Sequence, residues 1–415
     1  MLVRSLSILV ALLAWYVWSR RHAFQAQLLP KSLPPLFSAD KKCELVQEKG
    51  VDNRFKFCED GRIYAPGIAI FSCDPGRYEW NTVMGPMLNP GRRGSLWALH
   101  YNSTATEELY PLELTNFPTD ADFHPLGIEI PPALPSADPN GTPRLLAINH
   151  GRHNATIEVF SIRRDWESRL MKLEYEMTLT DPSFVAPNAI AAISPTEFLL
   201  SHDHRFTRRM TWPLNAILPV LETFLALPLG KVDLVTFDPY TGVRKIQTVV
   251  PNVAFANGVA VSEDGSTLAI ASTNHAEVLF YSLYSQDKMD IKFVTSVQVP
   301  FSVDNLAFAG DKLLAAGHPY FPEFIALVKQ KSDRAPSYVV EIAPQTPQKW
   351  SEHGQPQETW LARSTRPAGV SITTVFTSDG SFLSSSTGAI MDLEMKTILY
   401  YYGHFGILDL GPGAD

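Results

Sequence analysis

The chain has 415 residues, 45% of them hydrophobic and 19% charged, with a formal net charge of −8. That is ample apolar chain for a large core, and the acidic balance argues against a nucleic-acid partner. Its 32 prolines and 24 glycines suit many turns between short strands.

Residues 1–22, MLVRSLSILVALLAWYVWSRRH, hold an apolar stretch from Leu6 to Trp18. It is short for a full span and the right length for a signal sequence. No small-x-small cleavage pattern precedes Arg20-Arg21, and Trp15, Tyr16 and Trp18 are interface-type residues. The reading is an uncleaved signal anchor or transmembrane segment, with a cleaved signal and a secreted chain as the alternative. Residues 23–42 read as a linker, because LLPKSLPPLF breaks any helix. Residues 43–410 read as one β domain, followed by a short tail at 411–415.

Within that domain, Cys58 and Cys73 lie symmetrically about Ala65-Pro66. A hairpin turning there sets them opposite each other, within reach of a disulfide. In a reducing compartment they would be small apolar residues. Sequons at Asn102, Asn140 and Asn154 favour a lumenal or extracellular glycoprotein.

Strand–turn–strand units recur at 126–150, 187–204, 256–283, 303–320 and 368–386. Their spacing of about 50–70 residues, four strands each, predicts a propeller. A jelly roll or sandwich is the alternative, but it does not explain a polar residue repeated at one strand position. The segment 212–230 breaks the pattern. It is helix-like from Leu214 to Leu227 with Pro219 inside, and reads as a packed helix or a lipid-contacting lid.

The repeated polar residue is asparagine. Asn188, Asn257 and Asn305 each open an apolar strand, with Asp304 beside the last, and Glu59-Asp60 precede an earlier strand pair. Equivalent positions on the innermost strands of a propeller converge on its axis. Buried amides without partners are costly. A ring of two carboxylates and three amides is an oxygen-donor set for a hard cation such as Ca²⁺, not for zinc. The expectation is an all-β propeller with a central calcium tunnel.

At these residues the chain resembles the serum paraoxonase/arylesterase family. The blocks CED (58–60), LLAINHGRHNATIEVFSI (145–162), APNAIAAISPTEFLLSHDHRF, FANGVAVSEDG, VDNLAF and GHP follow the family's order over nearly all of 43–410. The resemblance implies a six-bladed propeller and a calcium-dependent hydrolase of lactones, aryl esters or phosphotriesters. It implies calcium ligands Glu59, Asn188, Asn257, Asp304 and Asn305, and pocket walls Tyr78, Phe255 and Phe324. It also implies a second calcium at Asp60, the Ile128 backbone and an Asp after Asn188, but this chain has Ala189 there. LETFLAL (221–227) resembles the helix the family lays on lipid surfaces.

Two further departures matter. The family bridge from a cysteine matched by Cys43 to one near the C-terminus is absent, because GHFGILDL has no cysteine. The family's general-base histidine is Leu126 here. His150, His204 and Asp304 are then the candidate catalytic residues. His124 shares a face with Leu126 if extended, but stands about 6–7 Å along the strand. The reading is a membrane-anchored or secreted hydrolase of a lipophilic ester or lactone, touching a membrane through 1–22 and possibly 212–230. The alternatives are a non-catalytic calcium-stabilised propeller that binds a lipophilic ligand, favoured by Leu126, and a strictosidine-synthase-like propeller, which has no need of the oxygen ring.

Overall fold

Short apolar runs punctuated by Gly, Pro, Asp and Asn pair as antiparallel strands. The computed structural model describes residues 2–29, 33, 42–48, 54–101, 109–132, 141–164, 170–285, 289–344, 369–401 and 406–409, and they form an all-β propeller. Its strands assort into six sheets, five of them four-stranded and antiparallel. The remaining sheet departs from the expected four-stranded unit. One run is shared between two sheets: Leu109–Pro111 pairs in the first, Leu112 donates to the Leu96 carbonyl at 2.8 Å, and Glu113–Thr115 joins Met171–Leu179 in parallel. This covers backbone groups that an edge strand leaves unpaired.

The first strands of the sheets are Cys58–Ala65, Pro125–Glu129, Pro187–Ser194, Ala256–Val261, Ser302–Ala309 and Gly388–Asp392. Each packs on the next and the last on the first, so they surround one axis. Lys42–Glu44 pairs with Gly406–Asp409 and places Cys43 opposite Leu408. The two ends of the chain are therefore joined by backbone pairing. The core lies between neighbouring sheets, as where Phe117 meets Phe123 at 5.5 Å and Phe160 at 5.7 Å between ring centroids.

The expected Cys58–Cys73 hairpin forms, but it turns at Pro66-Gly67, with Ala65 opposite Ile68, and slips of pairing between Cys58 and Asp60 and between Ile63 and Ala65 set the cysteines opposite each other. The two cysteines face each other in register and form a disulfide. Of the sequons, Asn154 is exposed, whereas Asn102 and Asn140 lie outside the described residues, as does the tail 411–415.

Among the described residues four α-helices decorate the propeller: α1 (Leu2–Ser19), α2 (Arg21–Leu28), α3 (Leu214–Phe224) and α4 (Phe321–Val328). Among the described residues no helix is long and apolar enough to cross a membrane. The signal anchor expected over residues 1–22 falls on α1 and the start of α2, and several α1 side chains lie outside the described residues. The stretch read as linker from residue 23 begins as α2. Ala23 and Ala26 are buried, and Gln27 donates to the Thr273 and Asn274 carbonyls at 3.2 and 2.7 Å. Helix α3 stops at Phe224, three residues short of the expected end. Its polar side is fixed inward: buried Glu222 accepts from Arg205 and Phe206 backbone N–H groups at 2.9 and 3.0 Å. Its apolar side faces out, with Trp212 just before it 81% and Phe224 62% exposed.

Candidate active site

Each ring residue sits at the start of a first strand. Glu59 and Asn188 are second in theirs, Asn257 is second in Ala256–Val261, and Asp304 and Asn305 are third and fourth in Ser302–Ala309. The ladder pairing slips at the same places: between Cys58 and Asp60, Pro187 and Ile190, Ala256 and Val259, and Val303 and Leu306. Such bulges re-aim side chains. Here they accompany a cavity lined by Glu59, Asn188, Asn257 and Asp304. Asn305 is buried beside it and donates through Nδ2 to the Glu59 carbonyl and Oε1 at 2.8 and 3.2 Å.

The ring has an electrostatic deficit. Glu59 Oε2, Asn188 Oδ1 and Asn257 Oδ1 are buried and accept no hydrogen bond. Burial, then the Asp304 and Asp60 carboxylates, hold the Glu59 carboxyl well above its usual range. Orphaned oxygens beside two carboxylates fit a hard cation, which would satisfy the lone pairs and the charge together. Among the described residues no group of three or more His, Cys, Asp or Glu gathers to hold a metal. The candidate set is mixed, three of its five residues being asparagines.

The expected walls are in place: Leu126, Tyr78, Phe255 and Phe324 all line the cavity. Leu126 lies in a further slip of pairing, between Pro125 and Ile128.

The histidines are more constrained than the sequence suggests. His150 lines the cavity, but Thr82 Oγ1 donates to its Nδ1 and its Nε2 donates to the Pro187 carbonyl, both at 2.7 Å. Burial and the Arg209 guanidinium push His150 down to about 3. It is a neutral, fixed ring at ordinary pH. His124 is buried, not at the surface; Nδ1 meets Asp74 Oδ2 at 2.9 Å and Nε2 meets the Pro90 carbonyl at 3.0 Å. His204 does not line the cavity. It bonds Thr223 Oγ1 at 2.8 Å and lies edge-on to Phe255 at 4.6 Å.

The pH consequence of His150 has a definite sign. The unfolded chain protonates this ring near about 6.5, the folded one only near about 3. Between those values the unfolded state binds more protons, so stability falls as pH falls, by up to about 1.4 kcal/mol per unit. Urea denaturation between neutral pH and about 4 should show that slope, and His150→Asn should flatten it. An unchanged slope would remove His150 as its source.

Several site residues escaped the sequence reading. His318 donates through Nε2 to Asp304 Oδ2 at 2.9 Å, bonds Ser385 Oγ through Nδ1 at 2.9 Å, and stacks on Phe324 at 3.8 Å. The sequence offered two hints, the block GHP that contains His318 and the His that also closes the second strand at 150 and 202. Arg77, Trp80, Thr82 and Asp203 also line the cavity. Arg77 donates to the Pro125 carbonyl at 2.8 Å and offsets part of the charge at Glu59. No repeat marks it.

A propeller whose strand starts gather carboxylate and amide oxygens under an aromatic-walled cavity belongs to the class with an axial functional site. Within that class, the family model described as Arylesterase matches residues 67–399. The chain belongs to the arylesterase family. It is 25% identical over 355 residues to serum paraoxonase/lactonase 3 of Oryctolagus cuniculus, covering 84% of this chain and 83% of the relative. It is 28% identical over 274 residues to serum paraoxonase/arylesterase 1 of Mus musculus, covering 65% and 63%. Among solved structures, a luciferin-regenerating enzyme aligns over 89% of this chain and 96% of its own at 10% identity, with a TM-score of 0.49.

Proposed function

We propose that the protein is a calcium-dependent hydrolase of lactones and aryl esters, with phosphotriesters as a further substrate class. Family membership supports the lactonase- or esterase-like chemistry, and the orphaned oxygens of Glu59, Asn188 and Asn257 carry the calcium reading. Glu59, Asn188, Asn257, Asp304 and Asn305 would hold the ion in a six-bladed tunnel. When bound, it would polarise the substrate carbonyl and stabilise the developing oxyanion.

The remaining work falls to the chain's own groups. Asp304 accepts the proton of the attacking water. His318, hydrogen-bonded to Asp304 and to Ser385, orients that carboxylate. Phe255, Phe324, Tyr78 and Leu126 hold the apolar part of the substrate and exclude solvent. His150 positions Thr82 and the Pro187 backbone next to Asn188; His204 backs Phe255. The test is initial rates on a panel of lactones and aryl esters, with calcium present and after chelation. Absence of turnover on the whole panel defeats the assignment.

A second reading, a non-catalytic propeller for a lipophilic ligand, is favoured by one observation. The two histidines lining the cavity, His124 and His150, have all four ring nitrogens engaged. Leu126→His separates the readings. A general base contributes about 10²–10⁴-fold, so restoring an imidazole there should raise lactone turnover by about a hundredfold, the low end of that range, and leave calcium affinity nearly unchanged. No gain over an inactive parent favours the binding protein.

We further propose that the domain at 43–410 lies on the lumenal or extracellular side, with 1–22 and the outward apolar side of α3 resting on a membrane. Ile8, Leu12 and Trp18 of α1 and Trp212, Ile217 and Phe224 around α3 are exposed. Asn154 is an exposed acceptor for glycan. Glycosidase treatment should shift the mobility of protein made in a eukaryotic secretory pathway. No shift, with Cys58 and Cys73 reduced, points to the cytosol.

A further inference from the structure

The second calcium implied by the resemblance does not fit this chain. Its position follows the ring by one residue: Asp60 after Glu59, and Ala189 after Asn188. Asp60 Oδ1 accepts from the Gly61 N–H at 2.8 Å, from Arg62 Nη1 at 2.6 Å and from the Tyr401 hydroxyl at 3.3 Å. Its Oδ2 accepts from the Ile128 N–H at 2.9 Å. Both oxygens are thus met by donors, whereas a divalent cation requires their lone pairs. Ala189 offers no oxygen from its side chain.

The positive charge comes from Arg62 instead. Besides Asp60, its Nη1 donates to the Gly61 carbonyl at 2.8 Å, its Nη2 to the Ile190 carbonyl at 3.2 Å, and its Nε to Glu129 Oε2 at 3.4 Å. One guanidinium therefore touches three first strands: Cys58–Ala65, Pro125–Glu129 and Pro187–Ser194. Burial opposes its charge, but the Asp60 and Glu129 carboxylates outweigh that and hold the guanidinium protonated. Its planar fork of donors matches a carboxylate and two carbonyls in a way a lysine cannot.

We propose that Arg62 is a built-in cation that replaces a second metal ion and ties three blades together without calcium. The count of ions rests on the single-calcium reading above; the tie between strands does not.

The test combines metal stoichiometry with thermal melting of the full chain. Equilibrium dialysis with radioactive calcium should give one ion per wild-type chain. Arg62→Met/Ala189→Asp, which removes the cation and supplies the missing carboxylate, should bind two. Arg62→Met alone should melt several degrees lower than wild type in EDTA, because it leaves Asp60 buried without its partner, and Arg62→Lys should restore only part of that loss. Two ions on the wild-type chain would overturn the proposal, as would a folded double variant that still holds one, or an Arg62→Met melting temperature equal to wild type. If the double variant does not fold, the single variant in EDTA decides. If the wild type binds no calcium, the calcium reading fails by itself, and the EDTA comparison still decides the role of Arg62.

Discussion

Asp304→Asn is expected to abolish hydrolysis. Asp304 lines the cavity, repels the Glu59 carboxylate as a like charge, and is oriented by His318 at 2.9 Å. The substitution keeps size and shape but removes the charge and the proton acceptor together. Loss of a general base alone is about 10²–10⁴-fold, and weaker charge compensation in the ring adds to it. Activity on the best aryl ester and the best lactone should therefore fall by about 10³-fold or more, in the Leu126 and Leu126→His backgrounds alike. Asn257→Ala is the companion. It removes an orphaned oxygen without touching a carboxylate, so calcium affinity should weaken and the fold should persist. If Asp304→Asn retains turnover, the proton acceptor lies elsewhere. If Asn257→Ala binds calcium as well as the parent, the ring is not the metal site.

Gly258→Ala should be among the most destabilising single-methyl changes in the chain. A Cβ at Gly258 would lie 2.7 Å from Asn305 Cα, 2.7 Å from the Asp304 carbonyl and 2.8 Å from the Leu306 nitrogen. All three are backbone, so no rotamer change relieves the clash. The Ala256–Val261 and Ser302–Ala309 strands must part, which costs at least about 1–3 kcal/mol as overpacking. The same shift moves Asn257 away from Asp304, so calcium affinity and activity should fall with the melting temperature. Gly127 is the matching position two interfaces away, its Cβ site 2.5 Å from the Asn188 carbonyl. A Gly258→Ala protein that melts and binds calcium like the parent would show that the first strands are less closely apposed than described.

Some of this was legible without a structure. The alternation of apolar residues and turn signals fixes hairpins, because a strand half-buried in a stacked sheet needs a period of two. The near-symmetry of Cys58 and Cys73 about one turn marks them as a hairpin pair, although slips of register along the two strands complete the pairing. Asn188, Asn257 and Asn305 announce an axial site because an amide opening an apolar strand demands a partner. Leu126 announces its departure from the family by identity alone.

The tertiary structure decided what depends on approach between residues distant in sequence. The bulges that accompany the ring residues are one-residue slips in pairing, and no local pattern specifies them. His150 is a plausible base as a letter; Thr82 and the Pro187 carbonyl, 68 and 37 residues away, occupy both its nitrogens. His124 is buried against Asp74 for the same reason, and His318 reaches Asp304 across a hairpin. The replacement of a second metal by Arg62 is likewise a matter of juxtaposition. In sequence Arg62 is one more charged residue in a strand. Only the closing of the ring brings the Ile190 carbonyl and Glu129 to its guanidinium, because these groups lie on first strands far apart in sequence.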